Sequence, residues 1–186
     1  MGRAGAFAAA FGLAASLAAP PAGAAVWMTR DQALAAAFPG AKVERRSIVL
    51  DERQADAVQR QAQARLASRV HGAYVATRGD SLLGVAFFDT RTVRTMPGVF
   101  MTVIAPDTTV ARVDVLAFHE PRDYLPPERW LDQFDGRSPA DRLEPRRDIR
   151  NISGASLTAR SVAESVRLSL AIFALAVAPA LAGDAP

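Results

Sequence analysis

The stretch Val70-His-Gly-Ala-Tyr-Val-Ala-Thr-Arg-Gly79-Asp80-Ser81-Leu-Leu-Gly-Val-Ala-Phe-Phe-Asp-Thr90 decides the fold. Two runs rich in β-branched and aromatic residues flank Gly79-Asp80-Ser81, which is the pattern of a β-hairpin. A third strand pattern, Gly98 to Ala105, follows Pro97. Its residues are apolar on both faces, with Val99, Met101 and Val103 alternating with Phe100, Thr102 and Ile104, so it belongs in the middle of a sheet. A fourth, Thr109 to Phe118, follows the turn Pro106-Asp107-Thr108. Consecutive strands joined by short links pair antiparallel.

Helical patterns lie on either side of this run. Thr29 to Phe38 reads as a short helix with Thr29 as its N-cap and Pro39-Gly40 as its stop. Lys42 to Leu50 reads as a strand. Asp51 caps a second helix expected to reach about Ser68, with a thin apolar stripe of Ala55, Val58, Ala62 and Leu66. After the strands, Phe118 to Pro127 is a loop punctuated by prolines, and a short helix runs from Pro127 to Phe134, ended by Gly136. The last helix starts near Leu157 and places Val162, Val166, Leu170, Phe173 and Val177 on one side, with Ser161, Ser165 and Ser169 on another. From Leu168 to Ala178 it is almost wholly apolar, which suits a buried core helix, and Pro179 is expected to break it. The fold class is α+β: an antiparallel sheet of four to five strands, helices before and after it, and the C-terminal helix packed on the sheet.

Composition narrows the function. The chain has 186 residues, half of them hydrophobic, and a net charge of +3. It contains no cysteine, which excludes disulfides, iron–sulfur clusters, thiolate catalysis and thioether-bound haem. His71 and His119 are the only histidines, too few for a histidine-rich metal centre. The arginines are scattered rather than interleaved with aromatics, so no nucleic-acid footprint is expected. Arg3, the apolar run Ala6 to Ala19, and Ala22-Gly23-Ala24 together form a leader with a signal-peptidase site. Residues 1–24 are thus read as a signal peptide and the mature chain as exported, to a bacterial periplasm. Residues 25–69 form an N-terminal helix–strand–helix region, 70–178 the main domain and 179–186 a flexible tail.

One stretch carries chemistry: Asp148-Ile-Arg-Asn-Ile-Ser153-Gly-Ala-Ser156-Leu-Thr158-Ala-Arg160. A polar turn runs straight into a helix. The first N–H groups of a helix lack internal partners and lie at the positive end of its dipole, which suits a phosphate. Ser153, Ser156 and Thr158 place three hydroxyls at that mouth. The same residue types would also serve as a plain N-cap.

Ser153-Gly154-Ala155-Ser156-Leu157-Thr158 resembles the attachment motif of the FMN-binding domain family, found in subunits of the sodium-translocating NADH:quinone reductase, in Rnf electron-transport complexes and in small exported proteins. The resemblance covers roughly Val70 to Leu175: a glycine-containing hairpin, a central apolar strand, a His/Glu loop, a short helix ending in Phe, then the motif. It implies a covalent flavin, with the FMN phosphate esterified to Ser156 and Ser153, Gly154, Ala155, Leu157 and Thr158 around it. His119 and Glu120 would bond the flavin or fix the loop, and Tyr124, Met96 and Phe118 would wall it. Arg150 or Arg160 would balance the phosphate charge. The implied role is electron transport, with a flavin transferase and a membrane reductase or cytochrome as partners. Arg150 stands where the family has Asp, Ser156 where it usually has Thr, and Phe118 at the family's loop His. Three alternatives stay open: a binding or assembly module of the same fold without flavin, a serine hydrolase built on Ser156, His119 and Glu120, and an envelope protein anchored by its C-terminal helix.

Overall fold

The computed structural model describes residues 25–183. The expected leader, residues 1–24, lies outside them, as do residues 184–186 of the tail. The elements in chain order are β1 (Ala25–Val26), α1 (Arg30–Ala37), β2 (Lys42–Val49), α2 (Glu52–Ala62), β3 (Val70–Arg78), β4 (Ser81–Thr92), β5 (Pro97–Ile104), β6 (Val110–Phe118), α3 (Glu128–Leu131) and α4 (Ser156–Ile172). The order across the sheet is β1-β6-β5-β4-β3-β2, and every neighbouring pair is antiparallel. Five full strands and a two-residue edge thus make an α+β fold, with α4 packed on the sheet.

The four expected strands run β3 to β6, and β5 has neighbours on both sides. Its alternating side chains enter two separate cores. Phe100 and Ile104 join Val75, Val85 and Phe87 beneath α2 and α4. Met101 and Val103 join Tyr74 and Ala86 on the opposite face, covered by Ala33, Leu34 and Phe38 at α1. The segment 25–69 is part of the same sheet, since β2 pairs with β3 along its whole length. Gly84 is required where β4 meets β5: a Cβ there would stand 2.8 Å from the Ile104 carbonyl oxygen, closer than side-chain carbons approach.

Both N-terminal helices start with reciprocal capping boxes, Thr29 with Gln32 and Asp51 with Gln54. Each box satisfies two otherwise orphaned groups and fixes the helix entry. α2 ends at Ala62, six residues before the expected Ser68. Gln63 turns left-handed with φ +48°, and the Leu66 N–H bonds back to the Gln59 side chain at 3.2 Å. That turn brings Leu66 against the core, whereas a continuing helix would carry the chain away from β3.

The expectation for Pro179 is also corrected. The helix that starts at Ser156 continues to Gly183. A wide turn of π type spans Phe173–Val177, and the Ala178 N–H bonds to the Phe173 carbonyl, five residues back. Proline has no N–H to give and its ring crowds the carbonyl four residues earlier. Widening the preceding turn removes both conflicts, so the helix passes through. The stretch from Thr158 to Val177 is mostly buried, the setting of a core helix. Ser161, Ser165 and Ser169 are buried as well. Arg91 ties α4 to β4, reaching Glu164 at 2.5 Å and Asp89 at 2.7 Å.

Candidate functional site

The long connection from α3 to α4 is nailed down before it reaches the motif. Leu143 and Ile149 are fully buried. Arg167 reaches from α4 to the carbonyls of Leu143 at 3.0 Å and Ala62 at 2.6 Å. Arg150 is held by its backbone from both sides: its N–H donates to Gln133 Oε1 at 2.7 Å, and its carbonyl accepts from Trp130 Nε1 at 2.5 Å. The Arg150 side chain is exposed. The position where the resembling family has an acid is thus served here by main-chain contacts.

The motif then turns. The Ala155 N–H bonds to the Ile152 carbonyl at 3.0 Å, and Gly154 takes φ +76°. That conformation costs a residue with a Cβ about 1–2 kcal/mol, while an added Cβ would meet nothing within 4 Å. Gly154 therefore serves the turn, not a crowded contact. α4 begins at Ser156 with no side-chain cap. Its first internal bond is from the Ala159 N–H to the Ala155 carbonyl. The N–H groups of Ser156, Leu157 and Thr158 precede it and have no acceptor within the helix.

The three hydroxyls differ sharply. Ser153 is exposed, Ser156 half-buried and Thr158 wholly buried. Ser156 Oγ accepts a hydrogen bond from Asn151 Nδ2 at 2.9 Å, which fixes the side chain and leaves its own proton free. Thr158 Oγ1 and Asn151 Oδ1 are buried without any partner. Unsatisfied buried oxygens are uncommon, and here two lie beside one helix start. A pocket of about 280 Å³ opens at the same helix start, lined by Gly154 to Thr158 together with Tyr124 and Arg94. The Arg94 guanidinium lies over the Tyr124 ring, 4.3 Å from its centre.

The loop candidates divide. Tyr124 lines the pocket. Glu120 faces the β4–β5 loop: one carboxylate oxygen accepts from the N–H groups of Arg94, Thr95 and Met96 at 3.0, 2.6 and 2.8 Å. Those bonds, chiefly from Thr95 and Met96, hold its carboxyl below the ordinary range. Met96 is exposed and does not line the pocket. The His119 N–H bonds to the Pro97 carbonyl at 3.0 Å. Phe118 is 2% exposed and sits in the core, so it walls no open site. Arg160 is exposed. The side-chain partner of Ser156 is Asn151, and Glu120 is occupied elsewhere, so no Ser–His–acid relay is assembled.

Arg94 and Asn151 are site residues that the sequence reading missed. Asn151, five residues before Ser156, was visible as an amide beside the hydroxyl turn. Nothing local marks Arg94, which reaches the site only because β5 and β6 bring their loops together.

These donors fit a phosphate ester: three free helix N–H groups, a buried hydroxyl without a partner, and a guanidinium. Among the described residues no cluster of His, Cys, Asp and Glu suits a metal ion. Comparison with protein-family models finds no match for the chain, and comparison with curated proteins finds none either.

Proposed function

We propose that the chain is an exported, periplasmic flavoprotein that carries FMN through a phosphoester on Ser156 and passes electrons between membrane-associated redox partners. The reading is carried by one observation: a half-exposed serine hydroxyl, oriented by Asn151, stands at the first residue of an uncapped helix and opens onto a pocket with a cationic wall. Ser156 supplies the ester oxygen and loses its proton. A flavin transferase delivers the phosphate already activated as an anhydride, whose cleavage balances the bond made. The resulting diester carries one negative charge, which the helix N–H groups and Arg94 offset. The flavin ring supplies the one- and two-electron chemistry, and the protein tunes it through burial, hydrogen bonds and nearby charge. On this reading the chain binds no substrate for turnover, and its second partner is a membrane reductase or cytochrome.

The test is mass spectrometry of the Asn151–Arg160 tryptic peptide from protein co-produced with a flavin transferase. The expected increment equals FMN less one water, on Ser156, with flavin absorbance that survives denaturation. Ser156→Ala protein should lack both. An unmodified parent peptide rejects the proposal, as does an equal adduct in the Ala variant. An unmodified peptide would favour the rival reading, an exported binding or assembly module of the same fold without flavin, to which Arg150 in place of the family's acid lends weight.

A further inference from the structure

We propose that Arg94 is the counter-cation of a phosphate-ester subsite at the start of α4, and that Glu120 is the residue that positions it. The inference deepens the flavin reading and shares Ser156 with it, but it can be tested with no flavin present.

Two observations besides the helix start point to a bound anion. Thr158 is wholly buried, lines the pocket, and has a hydroxyl with no hydrogen-bond partner. Arg94 closes the opposite side, its guanidinium stacked on Tyr124 rather than paired with an acid. A guanidinium spread over an aromatic face keeps its edge N–H groups available for phosphate oxygens. Arg150 and Arg160, the cations nearest in sequence, do not line the pocket.

Arg94 lies on an exposed loop, where a long side chain is normally free to wander. Glu120 anchors the backbone from which that side chain extends, and the Tyr124 ring holds its far end. Its carboxylate gathers three consecutive N–H groups, those of Arg94, Thr95 and Met96, onto one oxygen, and the Thr95 hydroxyl approaches the same oxygen at 3.4 Å. Glu120 is itself buried; its charge is held chiefly by these N–H groups and, more weakly, by the Arg94 guanidinium, which makes no direct ion pair with it. The loop backbone is thereby fixed at the Cα that carries the cation. Glu120 never touches the ligand and acts through Arg94.

The experiment uses the full mature chain from a host without flavin transferase and phenyl phosphate as probe, followed by amide NMR shifts of Gly154, Leu157 and Thr158. Saturable shifts are expected. Arg94→Gln should weaken the apparent affinity about tenfold, and Arg94→Lys should recover part of it by restoring the charge. Arg94 side-chain protons should show the upfield displacement of a group held over a ring. Glu120→Gln, which keeps the side-chain size, should reduce that displacement and weaken binding about threefold or more. Absence of saturable shifts in the parent overturns the proposal, and so does an Arg94→Gln protein that binds as the parent does. Unchanged Arg94 resonances in Glu120→Gln overturn the positioning role. Arg94-dependent binding without any adduct on Ser156 would sink the flavin reading and leave the anion subsite standing. An adduct formed at the parental rate in Arg94→Gln, with unaltered phenyl phosphate binding, would do the reverse.

Discussion

Replacing Thr158 by Val should stabilise the unliganded protein, an outcome opposite to that of most core substitutions. The side chain is 0% exposed and its hydroxyl has no partner. A buried hydroxyl left unpaired forfeits its hydration and gains nothing in return, a cost of about 1–3 kcal/mol. Val has nearly the same shape, so it fills the space without a cavity and without the unpaired dipole. Its helix propensity is close to that of Thr. Taking the lower end of the range, the gain is about 1 kcal/mol, which for a chain of this size raises Tm by about 2–4 °C. Urea and thermal unfolding of protein made without a transferase measure it. If the proposed phosphate ester takes up that hydroxyl, the same substitution should also slow flavin attachment. A destabilisation of more than about 1 kcal/mol would refute the reasoning. It would mean that the hydroxyl is bonded in solution and is not reserved for an anion.

Three further outcomes are expected. Trp130→Phe loses the indole N–H donated to the Arg150 carbonyl along with buried ring volume, and should cost about 1.5–3 kcal/mol in urea unfolding while loosening the motif loop. Gly154→Ala forces a Cβ into φ +76° with open space around it, so the loss should be about 1 kcal/mol from backbone alone, read by the same assay. Burial pushes His71 below its ordinary value of 6.5, against the opposing pull of the Ser68 carbonyl and of Asp89. The unfolded chain therefore binds the proton more readily, and stability should fall as pH drops below 6.5, levelling off beneath the folded value. His71→Leu should flatten that slope in denaturation curves taken across the window.

Local rules carried the fold well where the determinants are local. Gly79-Asp80 sits between two runs rich in β-branched and aromatic residues, and those runs pair as read. Thr29 and Asp51 cap helices because cap chemistry is decided within four residues. Non-local contacts defeated the reading elsewhere. Ala64 to Leu66 are good helix formers, yet the need to return Leu66 to the core ends α2 early. Pro179 is a helix breaker by itself, and only the widened turn before it lets the helix through. At the candidate site, Gly154 to Thr158 and Tyr124 line the pocket, and they were readable as candidates because the first five are contiguous and Tyr124 follows in the loop after β6. Arg94 lies 62 residues from Ser156 in the chain, and no periodicity relates them. Glu120 was recognised as a loop residue, but its bonds to the 94–96 backbone depend on strand pairing that sequence spacing does not encode.

The depth at which α4 is sunk has a mechanical side. Ser156 belongs to a helix that is mostly buried from Thr158 to Val177, and whose flank is latched by Arg167 and by Glu164 through Arg91. A group hung from that oxygen is fastened to a stiff mast, so its excursions are limited to the torsions of its own stem. If the proposed carrier role holds, successive encounters with different proteins would find the attached group within the same small volume, on the same side of the molecule.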